Sequence, residues 1–557
     1  MAHEVNDYDY IVIGGGLAGC VVASRLHERT PSLYILVIEA GPKPDGHPLT
    51  SAPLACFRLH HTDLDWDYKT VPQKHLDGRE CYAAAGKVLS GGNAINYGCW
   101  TRGPKADYDH WANLVDDQRW NYDGLLPYFK KSEHHYGDAQ QDSEQHGFDG
   151  PIYTEINSID PDRKYPLRET VGKALKAVGV KEIEDGNSGY PLGMSNKVEN
   201  WRDGQRQPVN QVYDQSGIHF MTETLVARIS ISVKDGTKTA TGVKLVDGRH
   251  LHAKKEIIVS AGTYRSPQLL MLSGIGPSAE LSYHGIPIIQ DSPAVGQNFL
   301  DHLGLCTWWK LRHPEQGLAM GTKQWTNPAM YKGLPSDWIV ASRASDSNMK
   351  IALDADHAPD DVKTHLLDPT TPHTETLISY APAGADHAQT PIPIDGSHMG
   401  ACILGMATTS RGRITLRSSD PKDAPVIDPN YYATETDRVA LRAGIREVLA
   451  LMATSQMKEV IECETPPPGF PALSVSSTDE EIDARVRRAG NSFYHPAGSC
   501  SMGAVVDTKL KVRGINGLRV CDASVIPTSM AAHLQVPVLA VAEKGADLIA
   551  EDVGGRQ

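Results

Sequence analysis

Residues 9–40 of the chain read DYIVIGGGLAGCVVASRLHERTPSLYILVIEA, and this stretch decides the fold. Its first apolar run, residues 10–13, is typical of a strand buried on both faces, and residues 34–38 form a second such run. Apolar residues at helical spacing lie between the two runs. Strand, helix and strand in this order predict the first unit of a parallel, Rossmann-like α/β sheet.

Three glycines at G-x-G-x-x-G spacing follow the first strand. Gly14 allows a tight turn, Gly16 lets a pyrophosphate approach the backbone, and Gly19 lets the helix pack closely on the strand. The helix N-terminus offers free N–H groups and the positive end of its dipole to the same phosphates. Glu39 ends the second strand, where it is placed to accept hydrogen bonds from a ribose and would repel a 2′-phosphate. The stretch therefore predicts an adenine dinucleotide other than NADP, and it leaves FAD and NAD open.

The composition fits a globular protein of more than one domain, with 557 residues, of which 40% are hydrophobic and 22% charged. Because the chain has 54 basic and 68 acidic residues, nucleic acid and anionic membranes are not expected as partners. The nine cysteines include no C-x-x-C pair, which favours reduced and mostly buried thiols. No structural zinc pattern is present, and we expect no metal.

Neither end of the chain shows a recognisable targeting signal. Residues 1–9 carry acidic side chains where a secretory signal would be basic, and residues 554–557 are not the S-K-L peroxisomal signal. The apolar runs are too short to cross a bilayer. We therefore expect a cytoplasmic protein with no membrane partner.

Regular α/β patterns return in the middle and C-terminal thirds of the chain, and the pattern between residues 302 and 491 is weak. Residues 368–395 have the composition of a long loop. Further buried strands are predicted at residues 225–231, 242–246, 256–260 and 518–521. Helices are predicted to open at Ser266-Pro267 and to cover residues 437–452 and 537–552.

Five segments of the chain carry more specific patterns. The stretch 262–276, GTYRSPQLLMLSGIG, resembles the second signature of the glucose–methanol–choline (GMC) flavoprotein oxidoreductases, and residues 86–111 resemble the first. Residues 295–302, 494–498 and 522–527 are similar to further blocks of that family. The resemblance runs from residue 9 to about residue 552.

The resemblance implies a mixed α/β (α+β) fold with two domains. One is a Rossmann-like FAD-binding domain made of residues 1–150, 209–302 and 492–557. The other is a discontinuous substrate-binding domain, residues 151–208 and 303–491, built on a β-sheet flanked by helices. The oligomeric state does not follow from the resemblance.

The resemblance also implies FAD rather than NAD. It places the backbone of residues 96–99 under the isoalloxazine ring. Ile95 stands where some members have a histidine bonded covalently to the flavin, so we expect noncovalent FAD. Residues 90–93 read SGGN in place of the usual GGSS, so local contacts in that loop are expected to differ. The residues predicted to bind the cofactor are Gly14, Gly16, Leu17, Ala18, Gly19, Glu39, Ala40, Val88, Asn93, Asn96, Tyr97, Gly98, Cys99, Val226, Asp522, Ala523, Gln535 and Val536.

A pair of histidines is the predicted catalytic apparatus. Oxidising an alcohol removes a hydride from carbon and a proton from oxygen, and an aliphatic alkoxide is too basic to form without a base. By resemblance, His495 is that base and His533 holds the substrate oxygen. Tyr494 matches an aromatic residue near the flavin in some members, or is a packed core residue. The electrons would pass to oxygen or a quinone-like acceptor.

Two other function classes stay open at this point. A non-redox GMC-fold enzyme, a lyase or a cyclase that keeps FAD as structure, would use the same two histidines for acid–base chemistry. A noncatalytic dinucleotide-binding protein would have no need for them. The sequence does not name the alcohol, because its side-chain contacts would come from the weakly patterned segment.

Overall fold

The computed structural model describes residues 7–44 and 46–554, and two large β-sheets organise them. The first sheet is mixed. Its order from one edge is His219–Met221, Ile35–Ile38, Asp7–Ile13, His250–Val259, Thr237–Leu245 and Val226–Lys234, with Leu518–Val520 also beside His250–Val259.

The five strands next to the first glycine motif are parallel. Asp7–Ile13 pairs with Ile35–Ile38 on one side and with His250–Val259 on the other. The side chains of residues 10–13 are all buried, as is usual for a strand inside a parallel sheet. Helix Leu17–Arg29 packs against helix Gln535–Gly554 on one face. The predicted Rossmann-like unit is confirmed.

The second sheet is antiparallel and contains the strands that the sequence analysis missed. The expected loop at residues 368–395 is wrong in part, because Thr374–Ser379 is a central strand of this sheet. Helix Glu435–Met452, predicted at residues 437–452, packs on it. The order is Ile461–Glu464, Leu303–Leu311, His398–Gly405, Thr374–Ser379, Trp338–Ser342 and Gly193–Asn196, with Asn491–Ser492 also beside Leu303–Leu311.

Helices and short strand pairs complete the fold. The α-helices are Leu17–Arg29, Pro48–Ser51, Gly92–Ile95, Lys105–Val115, Tyr122–Ser132, Ala139–Asp142, Arg168–Ala177, Val209–Val212, Gly262–Leu272, Ser278–Tyr283, Asp346–Ala355, Asp360–Leu367, Glu435–Met452, Ser455–Val460, Asp479–Ala489 and Gln535–Gly554. The two-stranded pairs are Tyr68–Lys69 with Tyr82–Ala83, Glu133–His134 with Ile152–Tyr153, Glu155–Ile156 with Val198–Glu199, Trp201–Arg202 with Gln205–Arg206, Ile275–Gly276 with Gln290–Asp291, and Arg413–Thr415 with Val426–Asp428.

One predicted helix begins earlier than expected. Helix Gly262–Leu272 starts four residues before Ser266, and Pro267 lies inside it rather than at its first position. The reason is tertiary: the backbone N–H of Gly262 donates to the carboxylate of Asp522, which fixes the first turn. The family fold is confirmed, whereas the residue boundaries of the two domains stay a prediction.

Within the described ranges, no helix combines the length and apolar composition needed to cross a bilayer. Residues 1–6 and 555–557, on which the expected location in the cell partly rests, lie outside those ranges. The nine cysteines are unbridged, and most of them are buried.

Candidate active site

A cavity of about 550 Å³ brings the first glycine motif and the two predicted catalytic histidines together. Of the predicted cofactor residues, Gly19, Val88 and Val536 do not line this cavity. Gly19 packs against the backbone of Gly14, and the side chains of Val88 and Val536 are buried in apolar clusters, so their part in cofactor binding stays a prediction. The predicted residues that line it are Gly14, Gly16, Leu17, Ala18, Glu39, Ala40, Asn93, Asn96, Tyr97, Gly98, Cys99, Val226, His495, Asp522, Ala523, His533 and Gln535.

The glycines of the motif act as predicted in two different ways. A Cβ on Gly14 would lie 2.3 Å from the carbonyl oxygen of Ser260, and one on Gly19 would lie 2.0 Å from that of Gly14. Both positions therefore need glycine for backbone packing. Gly16 differs, since a Cβ there would meet nothing closer than 3.9 Å. The open space above Gly16, at the start of helix Leu17–Arg29, is where a pyrophosphate would approach.

Glu39 lines the cavity and also holds the loop around it. Its two carboxylate oxygens accept backbone hydrogen bonds, one from Gly15 at 2.9 Å and one from Gly41 at 2.7 Å. Burial raises the pKa of Glu39 to about 7. Each oxygen keeps a second lone pair for a ribose hydroxyl, so the ribose role predicted from the sequence fits the geometry.

Asp522 follows strand Leu518–Val520 of the first sheet and also lines the cavity. Its carboxylate accepts from the N–H of Gly262 at 2.9 Å and from the hydroxyl of Ser266 at 2.6 Å, and it caps the turn that contains Ser524. Burial raises its pKa. The carboxylate thus fixes the start of helix Gly262–Leu272 beside the cavity, a role that the sequence analysis did not assign to it.

Two buried donors that line the cavity have no partner among the described residues. They are the side-chain amide nitrogens of Asn93 and Gln535. Arg206, which the sequence analysis missed, locks this region by donating to the Asn96 side chain at 2.8 Å and to its carbonyl at 2.6 Å. Buried polar groups without partners are rare in folded proteins. Because both nitrogens are inaccessible to water, the fit to a polar cofactor rests instead on the open backbone at Gly16 and the free lone pairs of Glu39.

His495 is buried and joined to a second histidine. Its Nδ1 lies 3.0 Å from Nδ1 of His302, whose Nε2 lies 3.3 Å from Oγ of Ser529. The Ser529 hydroxyl donates to the Met406 carbonyl, so its oxygen must accept from His302 Nε2–H. Nδ1 of His302 is then an acceptor, and His495 donates to it through Nδ1–H. This assignment leaves Nε2 of His495 unprotonated.

His533 completes the arrangement from the other side. Its Nδ1 lies 3.2 Å from Nε2 of His495, and its Nε2 lies 2.7 Å from the carboxylate of Glu375. Since His495 Nε2 and Glu375 both accept, His533 donates through both nitrogens and is an imidazolium. Burial opposes this charge, but Cys99 and Glu375 hold the pKa of His533 well above its usual range.

The charge on His533 also affects its neighbour. Burial, the cation at His533 and His302 together hold the pKa of His495 well below its usual range. Burial lowers the pKa of His302 to about 3. At neutral pH the site therefore contains an unprotonated His495 nitrogen 3.2 Å from a protonated His533 nitrogen.

The family models decide the relationship of this chain to known proteins. Models described as GMC oxidoreductase match residues 8–304 and residues 408–542. The chain belongs to the GMC oxidoreductase family. The sequence-based prediction of a GMC oxidoreductase acting on CH–OH groups is confirmed at the level of the enzyme class.

Named GMC relatives extend over the whole chain. A GMC-type oxidoreductase, acuG, of Aspergillus aculeatus is 41% identical over 97% of this chain and 99% of its own length. Pyranose dehydrogenase 3 of Leucoagaricus meleagris is 33% identical over 98% of this chain and 93% of its own. A solved formate oxidase variant of Aspergillus oryzae RIB40, studied for FAD modification, superposes with a TM-score of 0.88 at 30% identity, covering 99% of both chains.

Tyr494 precedes His495 and adopts a left-handed backbone, with φ at 64°. Its ring belongs to an aromatic group in the cavity, with centroids 5.4 Å from His60 and 6.3 Å from His387. A non-glycine residue with this backbone is uncommon and concentrates at functional sites. Tyr494 therefore forms part of the aromatic wall of the cavity, and whether its ring packs near a flavin stays a prediction.

One buried group outside the cavity has the composition of a metal site. Ligand atoms of Glu133, His135 and His146 lie within 4.8 Å of one another. Glu133, however, already accepts from the guanidinium of Arg102 at 3.2 Å and from the indole N–H of Trp100 at 3.0 Å. A cation at that distance competes with a metal ion, and Glu133 belongs to a buried ion-pair network with Arg102 and His146.

Proposed function

We propose that this GMC oxidoreductase oxidises a small alcohol to an aldehyde or ketone with noncovalent FAD. The observation that carries the proposal is the pairing of an unprotonated His495 with a protonated His533 inside the cavity that also contains the dinucleotide motif. Family membership does not supply the finer points of this proposal, which are the catalytic base, the noncovalent attachment of FAD and the electron acceptor.

The two histidines match the hydrogen-bonding capacity of an alcohol. Their facing nitrogens are 3.2 Å apart, so a hydroxyl that bonds to both, with the two rings moved apart, exchanges one hydrogen bond for two. The hydroxyl oxygen accepts from His533 Nδ1–H, and its proton faces Nε2 of His495. A group that offers one donor and one acceptor at a single atom is therefore recognised.

The protonation states of the two histidines give each of them a role in the proposed reaction. FAD, when bound, supplies the hydride acceptor. His495 takes the hydroxyl proton at Nε2 and keeps Nδ1–H bonded to His302, which fixes its ring orientation. The His533 imidazolium, held by Glu375, stabilises the charge that develops on the substrate oxygen.

Noncovalent attachment is supported by the residue at the tethering position. Ile95 lines the cavity and has an aliphatic side chain, which offers no atom for a covalent bond to the flavin. We propose oxygen or a quinone-like compound as the electron acceptor and, on sequence grounds alone, the cytoplasm as the location.

Anaerobic mixing of the purified yellow protein with a panel of alcohols tests the proposal. An alcohol substrate bleaches the flavin absorbance in the absence of oxygen, whereas a lyase or cyclase turns over its substrate with the flavin still oxidised. Acid precipitation of the same sample tests the tether, because noncovalent FAD stays in the supernatant. Flavin that precipitates with the polypeptide contradicts this part of the proposal.

A further inference from the structure

A second hydrogen-bonded chain enters the cavity at Tyr97. The Tyr97 hydroxyl is bonded to Nε2 of His60, and Nδ1 of His60 lies 3.1 Å from the hydroxyl of Tyr82. Tyr82 in turn donates to the carboxylate of Asp65. Tyr97 and His60 line the cavity, whereas Tyr82 and Asp65 lie behind them. The proposed reaction with His495 and His533 uses none of these four groups.

Asp65 fixes the far end of this chain as an acceptor. Its carboxylate also accepts backbone hydrogen bonds from His61 at 3.2 Å, from Asp67 at 3.1 Å and from Ala85 at 3.0 Å. Every group that bonds to the carboxylate therefore donates a hydrogen to it, and an ionised carboxylate can only accept. The Tyr82 proton is consequently committed to Asp65.

The direction of the remaining bonds follows from that commitment. Because Tyr82 has a single proton, its oxygen accepts from His60 Nδ1–H. Burial and the neighbouring His387 lower the pKa of His60 to about 4, so the ring is neutral and its Nε2 is an acceptor. Tyr97 therefore donates its only proton to His60. Burial raises the pKa of Tyr97 well above its usual range, so this proton stays on the phenol.

Tyr97 is left with an oxygen that can only accept. Among the described residues, this oxygen has no hydrogen-bond partner other than His60. Donation to His60, in a chain that ends on a carboxylate, polarises the phenol and strengthens its oxygen as an acceptor. An acceptor that lines a cavity without a donor of its own is a recognition point for a donor on a ligand.

The surroundings of Tyr97 indicate the shape of that ligand. Phe57 lies with its ring centroid 5.4 Å from that of Tyr97, and His60 lies 5.4 Å from the ring of Tyr494. Tyr494 directly precedes the catalytic His495. Aromatic walls of this kind accept flat rings by stacking and edge contacts.

We infer that Tyr97 forms a second substrate subsite, which accepts a hydrogen bond from a hydroxyl group on an aromatic alcohol. This inference rests on the proposed function, because the reacting hydroxyl must lie between His495 and His533. The substrate class is then a hydroxyaryl alcohol: one hydroxyl reacts, and the ring carries another that donates to Tyr97. A methoxy group at the same place has no proton to donate and leaves the Tyr97 oxygen unpaired.

The test compares hydroxyl and methoxy substituents at each ring position. Anaerobic flavin reduction is measured with the 2-, 3- and 4-hydroxybenzyl alcohols and with the matching methoxybenzyl alcohols. At one ring position the wild-type protein should prefer hydroxyl over methoxy about tenfold in kcat/KM, and Tyr97→Phe should reduce this ratio to about one. Tyr283→Phe, the same change on an exposed side chain, should keep the wild-type ratio.

A second variant tests the direction of the chain. His60→Phe keeps an aromatic ring but frees the Tyr97 proton, so Tyr97 becomes able to donate. The preference should then shift towards methoxy substrates by a factor of about three or more. A hydroxyl preference that is absent from the wild type, or that survives unchanged in Tyr97→Phe, overturns the inference.

Binding measurements separate this inference from the proposed reaction. Calorimetric titration with hydroxybenzaldehydes and methoxybenzaldehydes needs no turnover, and Tyr97→Phe should remove the hydroxyl preference there too. If no alcohol bleaches the flavin but the aldehydes show this pattern, the proposed reaction fails and the subsite stands. If alcohols bleach the flavin but neither assay shows the pattern, the subsite is wrong and the reaction stands.

Discussion

Replacing Glu375 by glutamine tests the claim that His533 works as a cation. The Glu375 carboxylate lies 2.7 Å from His533 Nε2 and is nearly inaccessible to water. With charge centres about 4 Å apart and an effective dielectric constant of about 20, the interaction is on the order of 4 kcal/mol. Removing it should lower the pKa of His533 by about 2 units or more, since each unit corresponds to about 1.4 kcal/mol.

The lowered pKa has a direct kinetic consequence. In the wild type, His533 is protonated throughout the neutral range, because its pKa lies well above 6.5. The rate of anaerobic flavin reduction should therefore be flat between about pH 6 and 8. In Glu375→Gln the imidazolium loses its proton as pH rises through the neutral range, so the rate should fall by about 10² at pH 8 and recover towards acidic pH.

Stopped-flow reduction across this pH range is the assay, and Glu447→Gln is the control. Glu447 is also a carboxylate beside the second sheet, but it accepts its hydrogen bonds from Ser342, and no hydrogen bond among the described residues joins it to His495 or His533. It should keep the flat wild-type profile. A flat profile in Glu375→Gln, with the wild-type rate, would refute the claim that the Glu375 carboxylate keeps His533 charged.

Three further predictions concern the cofactor region. Glu39→Ala should weaken FAD binding by about 1.5–3 kcal/mol, measured as the FAD dissociation constant, and an unchanged constant would show that the ribose role is misassigned. Burial raises the pKa of Glu39 to about 7 in the folded protein, so without cofactor the folded state binds one proton more than the unfolded state between about pH 4.5 and 7. The free energy of unfolding should therefore fall by up to about 3 kcal/mol as pH rises through this range. Glu39→Gln should remove that slope in chemical denaturation curves, whereas a slope identical to that of the wild type would contradict the buried carboxyl. Ser266→Ala removes one donor to Asp522 and should lower the free energy of unfolding by about 1–2 kcal/mol, with no effect expected if the helix start is fixed elsewhere.

Local pattern was enough to predict the parts of the fold that bind the dinucleotide. The run at residues 10–13 is apolar and fully buried in its sheet, and the glycines follow it within a few residues. Strand, turn and helix are adjacent in sequence there, so their spacing survives in the structure. The strands of the second sheet pair over long separations, such as Leu303–Leu311 with His398–Gly405, and no local signal joins them.

The candidate site shows the same division. His495 and His533 were predicted from family motifs, but their charge states depend on partners from the second sheet and its flanks. Glu375 is 158 residues from His533 in sequence, and nothing in its surroundings marks it as a partner. His302 stands in one of the predicted family blocks, yet its bond to His495 spans 193 residues. A spacing rule does not identify contacts of this kind, because tertiary packing creates them.

The most direct measurement of the central claim is anaerobic flavin reduction by His495→Ala, with His533→Ala and His533→Asn beside it. Loss of the base should slow reduction by about 10² or more while FAD stays bound, because the ADP half is predicted to lie at the glycine motif of residues 14–19. His533→Asn should recover part of the loss seen in His533→Ala, since its amide still donates to the substrate oxygen. The double variant His495→Ala with His533→Ala should be little slower than His495→Ala, as the two act on one hydroxyl. Reduction of His495→Ala at the wild-type rate would show that the base lies elsewhere.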